Sequence, residues 1–545
     1  MGRLNADVVI WNGRIATLDE EDRFFPALAV KSGRVVALGD ESTMEGMIGD
    51  GTEIIDLDGR TAIPGIVDSH CHPDSYAARL KRWRNLEPAA IASRDALLSM
   101  IDQDTAQSSP TRWFVGYRLN ENESGGYPTL AELDRAGNGR PVFLLRTDGH
   151  IGLTNSAGFA ACGIGADEPD PPFGRFDRDP ATGKFTGLLR ETAAQRFVDH
   201  VHDGDSEADV ADGLEAVFKD WFQYGITSVY NSLTPRRSLR AYQKLYRERR
   251  LKMRVGVIAS GREEGLIDQL IEAGIQSGFG DDMLKMIAVE WCPDCSTSGR
   301  TAAYYDPYVG KRVLGEPDDN RGMLLYDAED LQRRAVAAHL AGHLVCIEGV
   351  GDRGIDFALD AIEAALTAKP TPDHRMRVEH CCYVTPPLLE RLERLGAVDS
   401  SATGFMYELG DAYIANRGAG AMQHMWPHRA LIDAGIPAPG HSDAMVCQAN
   451  PFTALWSMVT RKTASGQSLD RSQAITATEA LRAYTTLGAW SGREETIKGS
   501  LEIGKLADIA ILDRDYFAIP KDTIKTIQVD QTLIGGETVW QRVPN

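Results

Sequence analysis

The sequence predicts an α/β protein: a closed (β/α)8 barrel in the middle of the chain and a small β-domain assembled from its two ends. Three observations predict it. From Asp7 to about Ile63 the chain alternates in short β-rich pieces, DVVIWNGRIATLD, ALAVKSGRVVALG and TEIIDLDGRTAIPG, separated by Gly and Asp turns, the pattern of a small antiparallel sheet. The end of the chain repeats that pattern in GSLEIGKLADIAILD and DQTLIGGETVWQ, so the termini complete one domain around a long insert. Between Pro64 and roughly Glu495, strands and helices alternate: PVFLLRTDGH, GITSVYNS after ADVADGLEAVFKDWFQY, RVGVIAS, LKMIAVEW, HLVCIEGVG after LQRRAVAAHLAG, and MRVEHCCYV. Alternation over that length argues for a parallel sheet, and a (β/α)8 barrel holds that many units. The expected boundaries are 1–63 with 499–545 for the β-domain and 64–498 for the barrel, with loops at Asp102 to Pro110 and in DEPDPPFGRF.

Bulk composition narrows the function. A chain of 545 residues, 43% hydrophobic and 25% charged, reads as globular. Its 58 basic and 78 acidic residues leave a formal charge of −20, which disfavours nucleic acid or an anionic membrane as partner and leaves small molecules. The start, MGRLNADVVIWNGRI, lacks the features of a signal peptide, and no apolar run reaches the roughly 18 residues needed to span a bilayer, so the expected location is the cytoplasm. Eight irregularly spaced cysteines read as reduced, mostly buried thiols. A homodimer is the base-rate expectation.

Barrel chemistry sits at the C-terminal strand ends. There, Ile66-Val67-Asp68-Ser69-His70-Cys71-His72 ends an apolar strand with histidines two positions apart, which strand periodicity aims the same way. Two neutral imidazoles facing one point form half of a divalent-metal site; the plain alternative is two chance histidines at a loop mouth.

At this point the chain resembles a family. TAIPGIVDSHCH is similar to the first-strand signature of the amidohydrolase superfamily. RPVFLLRTDGHIGLTNSAG, GKFTGLLRETA, RTAA, EGVGDRGIDFALDAIE, RVEH, HSDA, NPFTALWSMVTRK, ITATEALRAYT and GSLEIGKLADIAILD fall in the order of one branch, amidohydrolase family three, which includes N-substituted formamide deformylases. The resemblance implies a TIM-like barrel carrying a β-sandwich from both termini, and metal-dependent hydrolysis. It also implies a ligand set: His70 and His72 on the first strand, a carboxylated lysine on the fourth, histidines on the fifth and sixth, and Asp443 on the eighth. His380, in RVEH, matches the sixth-strand position. Two positions depart: Glu290 stands where the lysine belongs, and Glu348 replaces the fifth-strand histidine.

Side-chain reach separates the two departures. A carbamylated lysine carries its carboxylate about 3 to 4 Å farther from Cα than glutamate does. Glu290 therefore bridges two metals only if the strand end moves inward, whereas Glu348 reaches about as far as a histidine's distal nitrogen and can ligate in place. One of the two glutamates is alternatively an acceptor for a histidine N–H. The expected cofactor is one or two divalent ions, zinc first, with manganese or another harder ion favoured by the added negative charge.

For chemistry, the expected catalytic residues are Asp443, which takes a proton from the metal's water and passes it to the leaving nitrogen, and His150, a donor to the substrate carbonyl oxygen, with Glu191 behind it. Asp443 is alternatively a helix N-cap, and the extra imidazole of His441 either binds substrate or is a buried core group. Trp83, Trp113, Tyr127, Trp291 and Phe405 are candidates for an apolar pocket wall, or simply core. Trp291-Cys292-Pro293-Asp294-Cys295 has thioredoxin-like spacing but falls on the fourth strand end with no helix opening inside the motif. The expected activity is hydrolysis of a non-peptide C–N bond (amide, formamide, carbamate or cyclic amide) of a small apolar or aromatic substrate. The alternatives are a metal-dependent lyase, decarboxylase or hydratase, motivated by Glu290 and Glu348, and a non-catalytic metal-binding protein.

Overall fold

The computed structural model describes residues 5–80, 82–87, 91–106, 109, 111–121, 124–312 and 316–543. Seven parallel strands run around the barrel in chain order: β1 (Ile66–Cys71), β2 (Ile226–Thr234), β3 (Arg254–Ser260), β4 (Leu284–Trp291), β5 (Val345–Gly349), β6 (Arg377–His380) and β7 (Val398–Ser401). Nearly every residue of these strands is buried, as expected for strands covered by helices outside and packed side chains inside.

An irregular eighth segment closes the ring. Ile436-Pro437-Ala438-Pro439-Gly440 runs beside β7, where Asp399 and Ser401 donate their N–H groups to the carbonyls of Pro437 and Pro439 at 3.1 and 2.8 Å. Proline has no N–H to return, so a regular ladder cannot form. On the other side the Asp443 N–H donates to the carbonyl of His70 at 3.1 Å and the Ser69 hydroxyl to that of Gly440 at 3.0 Å. This closure carries Asp443 beside the end of β1.

The β-domain has two sheets. One joins Arg34–Gly39, Ala27–Lys31, Val8–Trp11 and Glu53–Asp56; the other joins Glu537–Gln541, Val529–Ile534, Ile509–Leu512, Thr61–Pro64, Arg14–Ala16 and Phe24–Phe25, so both termini share it. Val8, Ile10, Ile15, Leu28, Ile509 and Leu533 form its dry core. The expected purely antiparallel pattern is corrected: Val8–Trp11 pairs parallel with Glu53–Asp56, because the chain returns through the crossover containing the helix Glu41–Glu45.

A second correction concerns PVFLLRTDGH. Its strand Val142–Arg146 is not in the barrel. It belongs to a mixed six-stranded sheet inserted between β1 and β2, with Arg84–Asn85, Phe114–Leu119, Ile151–Thr154, Phe185–Glu191 and Gly174–Arg178. Buried strands of either kind carry the same apolar run, so the sequence pattern does not separate them. The segment expected as a loop from Asp102 is helical through Ala106, the end of Arg94–Ala106; 107, 108 and 110 lie outside the described residues. Among the described residues no helix is long and apolar enough to cross a membrane.

Candidate metal centre and active site

The strand ends bring His70, His72, His380, Glu348 and Asp443 together at the barrel mouth, in two groups that share His70. His72 Nε2 lies 3.0 Å and His70 Nε2 3.5 Å from Asp443 Oδ1, and the ligand atoms of His70, His72 and Asp443 all fall within 4.8 Å of one another. His380 and Glu348 form an adjoining group with His70, their Nε2 and Oε2 atoms 3.6 Å apart. His380 and Asp443 have φ of 69° and 53°. Such left-handed conformations cost side-chain-bearing residues about 1 to 3 kcal/mol and persist where the surroundings fix them.

The donors here fit a cation. His70 Nε2 and Asp443 Oδ1 are buried with no hydrogen-bond partner outside this cluster, and a buried polar atom costs about 1 to 3 kcal/mol unless something satisfies it. Burial alone would lower the His70 pKa, yet Glu290, Asp443 and Glu379 raise it well above its ordinary value. The negative field that would hold a proton there also favours a divalent ion.

His70 is fixed from behind. Its Nδ1 lies 2.9 Å from Glu379 Oε2, and Arg377 binds both oxygens of Glu379, at 2.6 and 2.8 Å. Burial works against the Glu379 charge, but Arg377 and His70 hold its carboxyl well below the usual range. Glu379 was not singled out from the sequence. Its signal is the pair Arg377 and Glu379, two positions apart in the buried strand Arg377–His380 and therefore on one inward face.

Glu348 and Glu290 occupy different surroundings. Glu348 lines the cavity above the cluster; its Oε2 accepts from the Cys292 thiol at 2.7 Å, and although burial opposes it, His380, Arg262 and His70 hold the carboxyl down at about 2. Glu290 sits lower, its Oε2 taken by the Ser232 hydroxyl and by the Leu233 N–H at 3.2 Å. Its Oε1 stops 3.8 Å from His70 Nδ1, a nitrogen already occupied by Glu379. Among the described residues Glu290 joins no group of three converging ligands.

A cavity of about 520 Å³ opens over this cluster, lined by His72, Glu348, His380 and Asp443 together with His150 and Arg262. A second lobe of about 430 Å³ shares His150 and Arg262 and adds Phe173, Leu325 and Tyr326. The inserted sheet supplies His150 from the turn after Val142–Arg146, so the insertion roofs the barrel mouth. His150 Nδ1 lies 2.7 Å from Glu191 Oε2, at the end of Phe185–Glu191.

A model of the amidohydrolase family matches residues 53–540. The chain belongs to the amidohydrolase family. N-substituted formamide deformylase of Arthrobacter pascens is 26% identical over 98% of this chain and 98% of its own. Among solved structures, an uncharacterized metal-dependent hydrolase from Pyrococcus horikoshii OT3 superimposes with a TM-score of 0.75 at 24% identity, over 94% of this chain and 99% of its own. One from Pyrococcus furiosus gives 0.72 at 25% identity over the same shares. This amidohydrolase is a metal-dependent hydrolase acting on C–N bonds other than peptide bonds.

The remaining expected residues sort by burial. His441 is buried in this amidohydrolase, stacked on His70 with ring centroids 4.7 Å apart and its Nε2 3.2 Å from the Ser400 carbonyl; it does not line the cavity. None of Trp83, Trp113, Tyr127, Trp291 and Phe405 lines either lobe. Trp83 stacks on His202 and Phe405 on His380, Trp291 is fully enclosed, and Trp113 and Tyr127 pack on apolar clusters of the inserted sheet. Large aromatic rings gain more from burial than from lining water.

The Cys-Pro-Asp-Cys stretch is a stapled loop. Asp294 Oδ2 accepts from the N–H groups of Val350 and Gly351 at 2.6 and 2.9 Å, and Oδ1 from those of Cys295 and Ala303 at 2.8 and 2.7 Å. Burial raises both thiols well above their ordinary pKa, the opposite of the low-pKa thiolate that redox chemistry needs.

Proposed function

We propose that this amidohydrolase hydrolyses the C–N bond of a small amide or formamide, using a divalent ion, zinc first, held by His70, His72 and Asp443 with His380 and Glu348 beside them. The observation that carries this reading is the convergence of His70 Nε2, His72 Nε2 and Asp443 Oδ1, two of them buried without other partners, on the floor of the cavity. Two imidazoles and one carboxylate form the open three-ligand pattern of catalytic zinc sites. Such an ion, when bound, supplies Lewis-acid activation of water and of the substrate carbonyl.

The chain's own groups do the rest. Burial opposes charge on Asp443, but His70 and His72 hold its carboxyl well below the ordinary range, so it is an ionised acceptor at the edge of the cavity. It takes a proton from the attacking water and returns it to the leaving nitrogen. Burial likewise opposes charge on His150, but Glu191 raises it to about 9, so its imidazolium is a donor for the carbonyl oxygen. Phe173, Leu325 and Tyr326 offer the second lobe to an apolar or aromatic substituent.

The test is amine release from N-formyl and N-acyl amines in water enriched in ¹⁸O. The hydrolase reading expects one solvent oxygen in the acid product, loss of turnover on chelation, and a fall of about 10²- to 10⁴-fold in kcat for Asp443→Asn. Release of amine with no solvent oxygen in the accompanying product would establish the lyase alternative instead.

A further inference from the structure

Arg262 stands in the cavity near Glu348, whose charge it helps to hold, but among the described residues no carboxylate hydrogen-bonds to its guanidinium. It follows β3 by two residues and is placed by Gly261, whose N–H donates to the Glu290 carbonyl at 2.7 Å. A Cβ on Gly261 would meet the Trp291 ring at 2.3 Å, so the strand end packs this closely only with glycine there. The Arg262 side chain is accessible from the cavity and lines both lobes. Among the described residues its guanidinium forms no ion pair; its side-chain partner is the Cys292 thiol.

Four of the neighbouring acids hydrogen-bond to other groups. Glu263 pairs with Arg236, Asp148 with Arg146, and Glu348 with the Cys292 thiol; Asp199 accepts from the Gln195 amide. A guanidinium offers five N–H donors in a planar fork, so most remain for a ligand. His150, a second cationic donor, shares the boundary between the lobes.

Water satisfies those donors while the cavity is open. A neutral substrate filling the same space would strip that water and leave those N–H donors unsatisfied, whereas a carboxylate would restore two charge-assisted hydrogen bonds. Asp199 and Glu264 also line the cavity, which favours a singly charged anion over a doubly charged phosphate. Beyond Arg262, Phe173 and Tyr326 stack with centroids 6.4 Å apart, a surface for an aromatic or apolar side chain.

We propose that Arg262 anchors a carboxylate of the substrate, so that this site takes N-acyl or N-formyl amino acids with an apolar side chain rather than neutral amides. The proposal rests on the hydrolase reading for the reaction itself: water adds to the acyl carbon, the C–N bond breaks, and the amino acid leaves with the transferred proton.

Two measurements keep the anchor and the reaction apart. Binding is measured by calorimetry on the metal-loaded enzyme with N-methanesulfonylphenylalanine and its primary carboxamide, which differ in charge and carry a sulfonamide in place of the scissile amide. Turnover is measured with N-formylphenylalanine and its carboxamide. The wild type should bind the carboxylate about 10- to 100-fold more tightly than the carboxamide. Arg262→Met should erase most of that ratio, and Arg262→Lys should keep part of it. Equal binding of the two ligands by the wild type, or an undiminished ratio in a folded Arg262→Met, would overturn the proposal. An Arg262-dependent ratio without formate release would uphold the anchor and remove the hydrolase reading.

Discussion

His70 Nδ1 lies 2.9 Å from Glu379 Oε2 on the barrel's inner face, and Arg377 locks that carboxylate from the other side. The contact fixes the ring so that Nε2 points at Asp443 and His72. A carboxylate acceptor on one imidazole nitrogen also raises the basicity of the other.

The first prediction follows from that contact. Glu379→Gln keeps an acceptor but removes the charge that holds His70 and neutralises Arg377. Metal affinity, measured by competition with a chromogenic chelator, should fall about 10- to 100-fold. An unchanged affinity would mean that His70 needs no such support.

A second prediction concerns pH. Glu191 outweighs burial and raises His150 to about 9. A raised folded-state pKa contributes stability that is full below the unfolded value of about 6.5 and is lost as pH climbs through about 9. The difference in Tm between wild type and His150→Gln should therefore shrink steadily from about pH 7 to about pH 10. A gap that widens with pH would contradict the ion pair.

Asp294 yields a stability prediction. It accepts four backbone N–H groups from three separate stretches, which an asparagine with one oxygen cannot match. Asp294→Asn should cost about 2 to 4 kcal/mol in denaturant unfolding, since at least one buried donor is left unpaired. A loss under about 0.5 kcal/mol, the range of a surface substitution, would show that the loop is held by something else.

The sequence carried the barrel because its strands are apolar runs separated by helices, and it carried His70 and His72 because strand periodicity aims them together. It did not separate Val142–Arg146 from a barrel strand, since a buried strand reads alike in either sheet. The closing segment was legible through His-Ser-Asp and not through periodicity, because Pro437 and Pro439 break the ladder. Glu379 and Arg262 carry signals, an alternating Arg-x-Glu inside a buried strand and a charge just past a strand end. The contacts of Glu379 with His70 and of Arg262 with Cys292, though, join elements far apart in sequence, and only the folded chain shows them. Glu290 illustrates the converse: its short reach was readable, but its engagement with Ser232 and Leu233 was not.

The most direct test of the account is anomalous scattering from crystals grown with zinc, with metal analysis of the same protein. A single peak enclosed by His70 Nε2, His72 Nε2 and Asp443 Oδ1, with Glu290 not touching it, is the predicted result. Two peaks bridged by Glu290, or a peak away from those three side chains, would contradict it.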